Sequence, residues 1–280
     1  MRRRRKKRAG GKAPASFACR TKYPIVLVHG TGFRDRKLLN YWGRIPKALG
    51  DEGARVYYSH QDAWGTVAHN AEMVKRAVLT VLKETGAEKV NLIAHSKGGL
   101  DARYMIAALD MADKVASLTT VSTPHHGSKA IDVLWRAPKL LFHAIGVVVN
   151  LTYRAMGDEK PDFYRVTRGF RTCAARRFNE RFPDSDKVYY QSYASTMLDS
   201  FSDFIFVLTH SVVKRFDGEN DGLVSADSAR WGRFRGELRG KGRRGISHGD
   251  VVDMRRMDIK DVNIRELYIG LVRELKDMGF

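Results

Sequence analysis

An apolar run that ends at a serine between small residues constrains this chain more than any other stretch. Lys89-Val90-Asn91-Leu92-Ile93-Ala94-His95-Ser96-Lys97-Gly98-Gly99-Leu100-Asp101-Ala102-Arg103-Tyr104 reads as a strand, a tight turn and a helix, with Ser96 at the apex. The pattern A-x-S-x-G matches a G-x-S-x-G nucleophile elbow in which Ala94 replaces the first glycine. Small residues are required on both sides because the serine backbone is strained and strand and helix pass close together. The turn lifts the Ser96 hydroxyl clear of the sheet and leaves the Lys97 N–H at a helix N-terminus, where developing negative charge is favoured. The alternative is an ordinary strand-to-helix loop with a surface serine, and the rest of the chain argues against it.

Pro24-Ile25-Val26-Leu27-Val28 is a continuous apolar run, the pattern of a strand buried on both faces, and it leads into His29-Gly30-Thr31-Gly32. A helix is expected over 38–52, with Pro46 near a turn or kink, and a strand over Ala54 to Tyr58. Val67 to Glu84 places Val67, Ala71, Val74, Val78, Val81 and Leu82 on one helical face, and Gly86 closes it. The elbow follows, then a strand from Ala116 to Val121, a late strand from Val188 to Tyr193 and a closing helix from Ile259 to Met278. This alternation predicts an α/β class: a mostly parallel central sheet with helices on both faces, its active site at the carboxyl ends of the strands. From about 128 to 181 the alternation stops, and Leu140 to Val149 is a strongly apolar helix-length segment. It is either a lid over an acyl pocket or a buried core helix.

The 280 residues, 43% apolar, suit one large domain rather than two. The formal net charge is +19, much of it in Arg2 to Arg5, Lys6, Lys7, Arg8 and Lys12, and more in Arg230, Arg233, Arg235, Arg239, Lys241, Arg243 and Arg244. Residues 1–22 are expected to form a disordered basic arm ahead of a domain over 23–280. Such charge suits a phospholipid or nucleic-acid surface, or only a solvated tail. No nucleic-acid-binding motif or interleaved aromatic residues accompany it, so no specific nucleic-acid partner is expected. Cys19 and Cys173 make no disulfide framework. The basic start lacks a following apolar stretch, which argues against a secretory signal as written and for a cytoplasmic protein, and no run reaches the roughly 18 apolar residues of a membrane span.

A serine nucleophile needs a base, an acid to orient the base, and N–H donors for the oxyanion. In a fold of this kind the order is serine, acid, histidine. Among nine histidines only His248 follows the best acid, and it sits in the flexible loop Gly245-Ile246-Ser247-His248-Gly249-Asp250. Asp221, in the turn Asn220-Asp221-Gly222 before an apolar pair, is the expected acid, with Asp217 and Asp227 as rivals. The backbone N–H groups of Thr31 and Lys97 are the expected oxyanion hole, each such donor typically worth about 3 kcal/mol. His95, beside the serine, is expected to be structural because an elbow neighbour points away from the hydroxyl.

Together these motifs resemble the bacterial true lipases of the Pseudomonas and Burkholderia type, within the α/β-hydrolase superfamily. The resemblance rests on Tyr23 to Gly30, on the elbow from Gly86 to Tyr104, on Val115 to Val121, on Thr123-Pro124-His125-His126-Gly127-Ser128 and on Asn220 to Ser225. It implies an α/β-hydrolase fold with a helical lid at about 128–181 and a serine hydrolase cleaving carboxylic esters, acylglycerols first. It also implies contact with a lipid interface or anionic membrane, leaves room for a folding chaperone, and calls for no organic cofactor. A structural calcium site would use the carboxylates of Asp199 and Asp250 and the carbonyls of about Met254 and Asp258, unless the two aspartates are ordinary surface residues. Members with this calcium site are usually exported. Lys97 departs from the pattern, and its charge is expected to favour anionic substrates or shift the pH profile. Short-chain carboxylesterase, thioesterase or polyester depolymerase activity is the alternative with the same residues. A catalytically silent basic protein on membranes or nucleic acid is the alternative of another class.

Overall fold

The computed structural model describes residues 17–35 and 40–280. Its frame is a six-stranded sheet in which every neighbouring pair is parallel, in the order β2-β1-β3-β4-β5-β6. The strands are β1 (Ile25–Val28), β2 (Val56–Tyr58), β3 (Val90–His95), β4 (Val115–Val121), β5 (Tyr189–Ser195) and β6 (Arg233–Leu238). β1, β3 and β4 are buried along their whole length; β1 reads as an unbroken apolar run, while Asn91 of β3 and Ser117, Thr119 and Thr120 of β4 are buried polar residues.

Alternate residues feed two cores. Val26, Val28, Leu92 and Ala94 pack with Ala71, Val74 and Val78 of α2 (Val67–Thr85) and with Ala102, Met105 and Ile106 of α3 (Lys97–Ala108). Ile25, Leu27 and Ile93 pack with Trp42, with Ile45 and Leu49 of α1 (Ile45–Asp51), and with Tyr268, Leu271 and Val272 of α9 (Ile264–Asp277). α2 starts where Thr66 accepts from the His69 N–H and ends at Gly86, whose φ of 66° suits a residue without a Cβ. α9 starts at Ile264, five residues later than expected, because the Asn263 carboxamide caps the Glu266 N–H.

Several expectations shift. The helix expected over 38–52 begins at Ile45, with Pro46 in the first turn, the one helical place that needs no proline N–H; residues 36–39 lie outside the described residues. Of the expected arm over 1–22, residues 1–16 also lie outside them, but residues 17–22 belong to the domain. Cys19 is fully buried, and the Lys22 N–H donates to Phe280 O at 2.8 Å. Both cysteines are free thiols. β6 was hidden inside the late basic stretch. It is a half-exposed edge strand with a register shift and a Gly236 φ of 132°, so it carries no alternating apolar pattern. Nor is that stretch a bare cationic patch: Arg230 pairs with Asp227 and Glu237, Arg235 with Glu274, Arg239 with Glu237 and Arg244 with Asp250.

Between β4 and β5 stand four helices, α4 (Lys129–Leu134), α5 (Lys139–Ala155), α6 (Phe163–Gly169) and α7 (Thr172–Arg181). The buried-core reading of the apolar segment fails. α5 buries only Phe142 and Gly146, while Leu140 is 80%, Val148 65% and Leu151 64% exposed. α8 (Val207–Asp217) lies between β5 and β6. Among the described residues no helix is long and apolar enough to cross a membrane.

Trp42 is fully buried, edge-on to Tyr268 and close to His95. Trp42→Ala is expected to cost about 3–5 kcal/mol of unfolding free energy. Urea titration checks this; a loss under about 1 kcal/mol would show that α1 and α9 close over the gap.

Candidate active site

Ser96 joins β3 to α3 with φ 54° and ψ −133°, a conformation that costs a non-glycine residue about 1–3 kcal/mol. The surroundings impose it. The Ser96 N–H donates to Val121 O at 3.0 Å, and the Thr123 hydroxyl donates to Ser96 O at 2.7 Å. α3 passes so close to β1 that a Cβ on Gly98 would stand 2.4 Å from His29 O and 2.5 Å from Val28 O. A Cβ on Gly99 would meet the Thr123 side chain at 2.2 Å, and one on Gly30 would meet the Ser96 Cβ at 2.7 Å.

Asp221 lies fully buried at the turn after α8. Its Oδ2 accepts from His248 Nδ1 at 2.8 Å and from the Ser195 hydroxyl at 3.0 Å. Its Oδ1 accepts from the N–H groups of Leu223 (3.1 Å) and Val224 (2.9 Å). Burial alone would raise this carboxyl. The charge and hydrogen bond of His248, with the two N–H groups, outweigh burial and hold it below the ordinary aspartate value. The His248 N–H also donates to Asp221 O at 2.8 Å, so backbone and ring are tied to the same residue. The rivals are elsewhere: Asp217 caps α4 through Ser128, Lys129 and Ala130, and Asp227 is exposed beside Arg230.

The imidazole of His248 lies against His95, the residue before Ser96, with ring centroids 4.4 Å apart. No hydrogen bond joins it to the Ser96 hydroxyl in this structure; such contacts are often long without substrate and tighten with it. His95 is scaffold, as expected. Its Nδ1 and the Tyr41 hydroxyl share a 2.6 Å hydrogen bond, and burial, then the neighbouring His248, keep its pKa well below the usual value.

Thr31 lies in the loop after β1, next to Gly32, and the Lys97 N–H lies in the first turn of α3, where no intrahelical carbonyl awaits it. The Gly32 carbonyl accepts from the Tyr153 hydroxyl of α5 at 2.6 Å, so the apolar helix touches this loop directly. The Lys97 ammonium does not face a substrate. It is buried, 2.6 and 2.9 Å from the carboxylate oxygens of Asp101. Burial lowers the Lys97 pKa and raises Asp101 to about 6, both directions that weaken charge in a dry pair. The expected effect of its charge on substrate choice is therefore corrected; its backbone N–H is unaffected.

The carboxylates of the residues expected to hold calcium have protein partners here. Asp199 is exposed and caps the Phe201 N–H, while the Asp250 carboxylate accepts from Arg244 at 2.7 Å and from the Ser247 N–H at 3.2 Å. The Asp258 carboxylate pairs with Arg44 and Arg265, and Met254 contributes an N–H to Gly249 O. Among the described residues no three acidic, histidine or cysteine side chains are grouped to hold a metal ion.

Four supporting residues escaped the sequence reading: Tyr41, Ser122, Thr123 and Ser195. Ser122 has a φ of 50° and shares a 2.7 Å hydrogen bond with Ser195, which in turn holds Asp221. Only their place at the carboxyl ends of β4 and β5 could have marked Ser122, Thr123 and Ser195, and Tyr41, ahead of α1, carries no such signal.

Comparison with known proteins supplies the classification. The palmitoyl protein thioesterase family model matches residues 24–170, more than half of the chain. The chain belongs to this family. It is 28% identical to a triacylglycerol lipase of Pseudomonas fragi across 92% of this chain and 98% of that one. It is 33% identical to a triacylglycerol lipase of Burkholderia plantarii over 178 residues, 59% of this chain and 49% of that one. The fold matches Staphylococcus hyicus lipase with a TM-score of 0.70 at 17% identity, covering 96% and 99% of the two chains. This member of the family is thus a carboxylic ester hydrolase with an α/β-hydrolase fold, similar to the Pseudomonas and Burkholderia lipases.

Burial drives three histidines of the family scaffold below their ordinary value, His29 to about 4 and His95 and His125 well down. The unfolded chain binds protons below pH of about 6.5 that the folded chain refuses. Their stabilisation is complete above that pH and is lost as pH falls toward about 4, at about 1.4 kcal/mol per pH unit for each histidine. Thermal melts across this window are expected to show a steadily falling midpoint; a flat midpoint would show that these rings are protonated in the folded state.

Proposed function

We propose that the chain is a triacylglycerol lipase working through Ser96, His248 and Asp221. The reading rests above all on the 2.8 Å Asp221–His248 pair standing against His95 at the elbow. In this mechanism the Ser96 oxygen attacks the ester carbonyl carbon while His248 takes its proton. The Thr31 and Lys97 N–H groups hold the resulting oxyanion. The carbon–oxygen bond to the alcohol breaks, and His248 returns the proton to the departing alcohol. Water, deprotonated by His248, then attacks the acyl-enzyme, and collapse releases the fatty acid and restores Ser96. Asp221 keeps Nδ1–H pointed at itself and stabilises the imidazolium.

The preference for long acyl chains rests on apolar surface beside the site. α5 presents Leu140, Val147, Val148 and Leu151, and the segment before α8 presents Phe201, Phe204 and Ile205, all more than half exposed. Phe206, in the same segment, stands edge-on to His248 at 6.3 Å. So much exposed apolar surface fits a lid and a lipid interface better than a water-soluble short ester. Relatives described as palmitoyl protein thioesterases make a long-chain acyl thioester the second substrate to test.

The test is a profile of hydrolysis for esters from two to eighteen acyl carbons, beside a palmitoyl thioester, for wild type, Ser96→Ala and Asp221→Asn. Rates rising with chain length and at an oil–water interface are expected. Ser96→Ala should fall to background, and Asp221→Asn should lose about 10,000-fold in kcat through the wrong tautomer. Activity confined to short chains would overturn the lipase reading in favour of an esterase. An unlabelled Ser96 after organophosphonate treatment would overturn the mechanism.

A further inference from the structure

The loop that carries the base is bound by arginines at the place where the family resemblance would put a divalent cation. Two carboxylates face this loop. Asp250 is buried, and its Oδ2 lies 2.7 Å from Arg244 Nη1. Asp203, buried to 1% exposure, accepts from the Ser247 hydroxyl at 2.7 Å through Oδ2 and from Arg255 through Oδ1. Ser247, the residue before His248, connects the two, because its hydroxyl also accepts the Asp250 N–H at 3.1 Å. Arg244 reaches further: its Nε donates to Ser202 O at 3.0 Å, and its own carbonyl accepts the Leu198 N–H at 3.2 Å. One guanidinium thereby bridges the 198–202 segment and the histidine loop. Beyond the loop, Asp253 accepts from three N–H groups of Arg44, the backbone one at 2.7 Å and the side-chain ones at 2.8 and 2.9 Å.

Charge explains why metal and arginine exclude one another here. Two buried carboxylates carry two negative charges, and Arg244 and Arg255 supply two positive ones. A divalent ion between the same segments would supply equal charge, but only with the carboxylate oxygens free to coordinate it. Here Asp250 Oδ2 and both carboxylate oxygens of Asp203 already accept N–H or O–H groups. Arginine is also suited to the bridge, since its planar fork donates in two directions and it never loses its proton.

We propose that Arg244 and Arg255 are positioning residues that replace a metal ion: they pin residues 247–250, and so hold the His248 ring on Asp221, without calcium. The proposal rests on the reading of His248 as the base. It places the rate of this enzyme under control of guanidinium–carboxylate bonds rather than of an ion supply.

The experiment combines calcium titration with substitution in the full chain. After EDTA treatment, wild type is expected to show no calcium-binding heat at millimolar CaCl2, an unchanged melting temperature and an unchanged kcat. Arg244→Gln is expected to lower kcat about 10- to 100-fold with little change in KM, because a displaced base loses rate rather than substrate binding. Arg244→Lys should recover part of the loss, keeping the charge but not the bridge to Ser202. The double variant Arg244→Ser/Arg255→Ser frees both carboxylates and is expected to gain a calcium-dependent rise in melting temperature. Where the variants fail to fold, the wild-type titration decides by itself. Wild type that binds calcium and needs it for activity would overturn the proposal, as would a folded Arg244→Gln with unchanged kcat. Organophosphonate labelling of the same samples separates the two levels: a labelled but calcium-dependent wild type sinks the arginine proposal alone, whereas an unlabelled one sinks the assignment of Ser96 and His248 beneath it.

Discussion

The close approach of α3 to β1 is the constraint on which the site depends. It leaves no room for a side chain at Gly98, and Thr123 closes the space at Gly99 and Ser96 and Tyr41 that at Gly30, around a Ser96 in a left-handed backbone conformation. That crowding is itself the device. A serine in a relaxed turn would lie along the sheet; one held at φ 54° stands at the end of β3, next in the chain to His95, whose ring meets that of His248. The cost of a few kcal/mol is met by the fully buried strands around it, whose packing is insensitive to a single strained residue.

From this one turn outward, the polar groups form a chain of supports. Ser122 holds Ser195, Ser195 and two N–H groups hold Asp221, and Asp221 holds His248 by ring and backbone. On the other side Tyr41 fixes His95, against which the His248 ring rests. The apolar helix α5 is joined to the same centre through Tyr153 and the Gly32 carbonyl. That bond ties α5, with its exposed leucines and valines, to the loop that carries Thr31.

What could be read from the residues alone follows burial. β1, β3 and β4 announce themselves because both faces are covered; β6 does not, because an edge strand rich in arginine and glycine has no period to read. Local turn chemistry and chain order pointed to Ser96, Asp221 and His248, and the structure pairs the last two at 2.8 Å. Ser195 and Ser122 were not, since a serine at a strand end has no signature until its partner is known. The calcium expectation came from resemblance, and resemblance transfers positions better than charges: Arg244 looked like one more cation in a basic run, and only the fold brings it to Asp250. Lys97 is a similar case, a charge that the sequence points at substrate and the fold turns inward to Asp101.

The central claim is that hydroxyl, imidazole and carboxylate meet in line at the elbow. A crystal structure of the chain covalently modified by a long-chain alkyl phosphonate tests it most directly. The account predicts phosphorus bonded to Ser96 Oγ, the phosphoryl oxygen about 2.7–3.1 Å from the N–H groups of Thr31 and Lys97, and His248 Nε2 within about 3.2 Å of a phosphorus-bound oxygen. Phosphorus on another residue, or a His248 ring still turned away with the pocket filled, would contradict it.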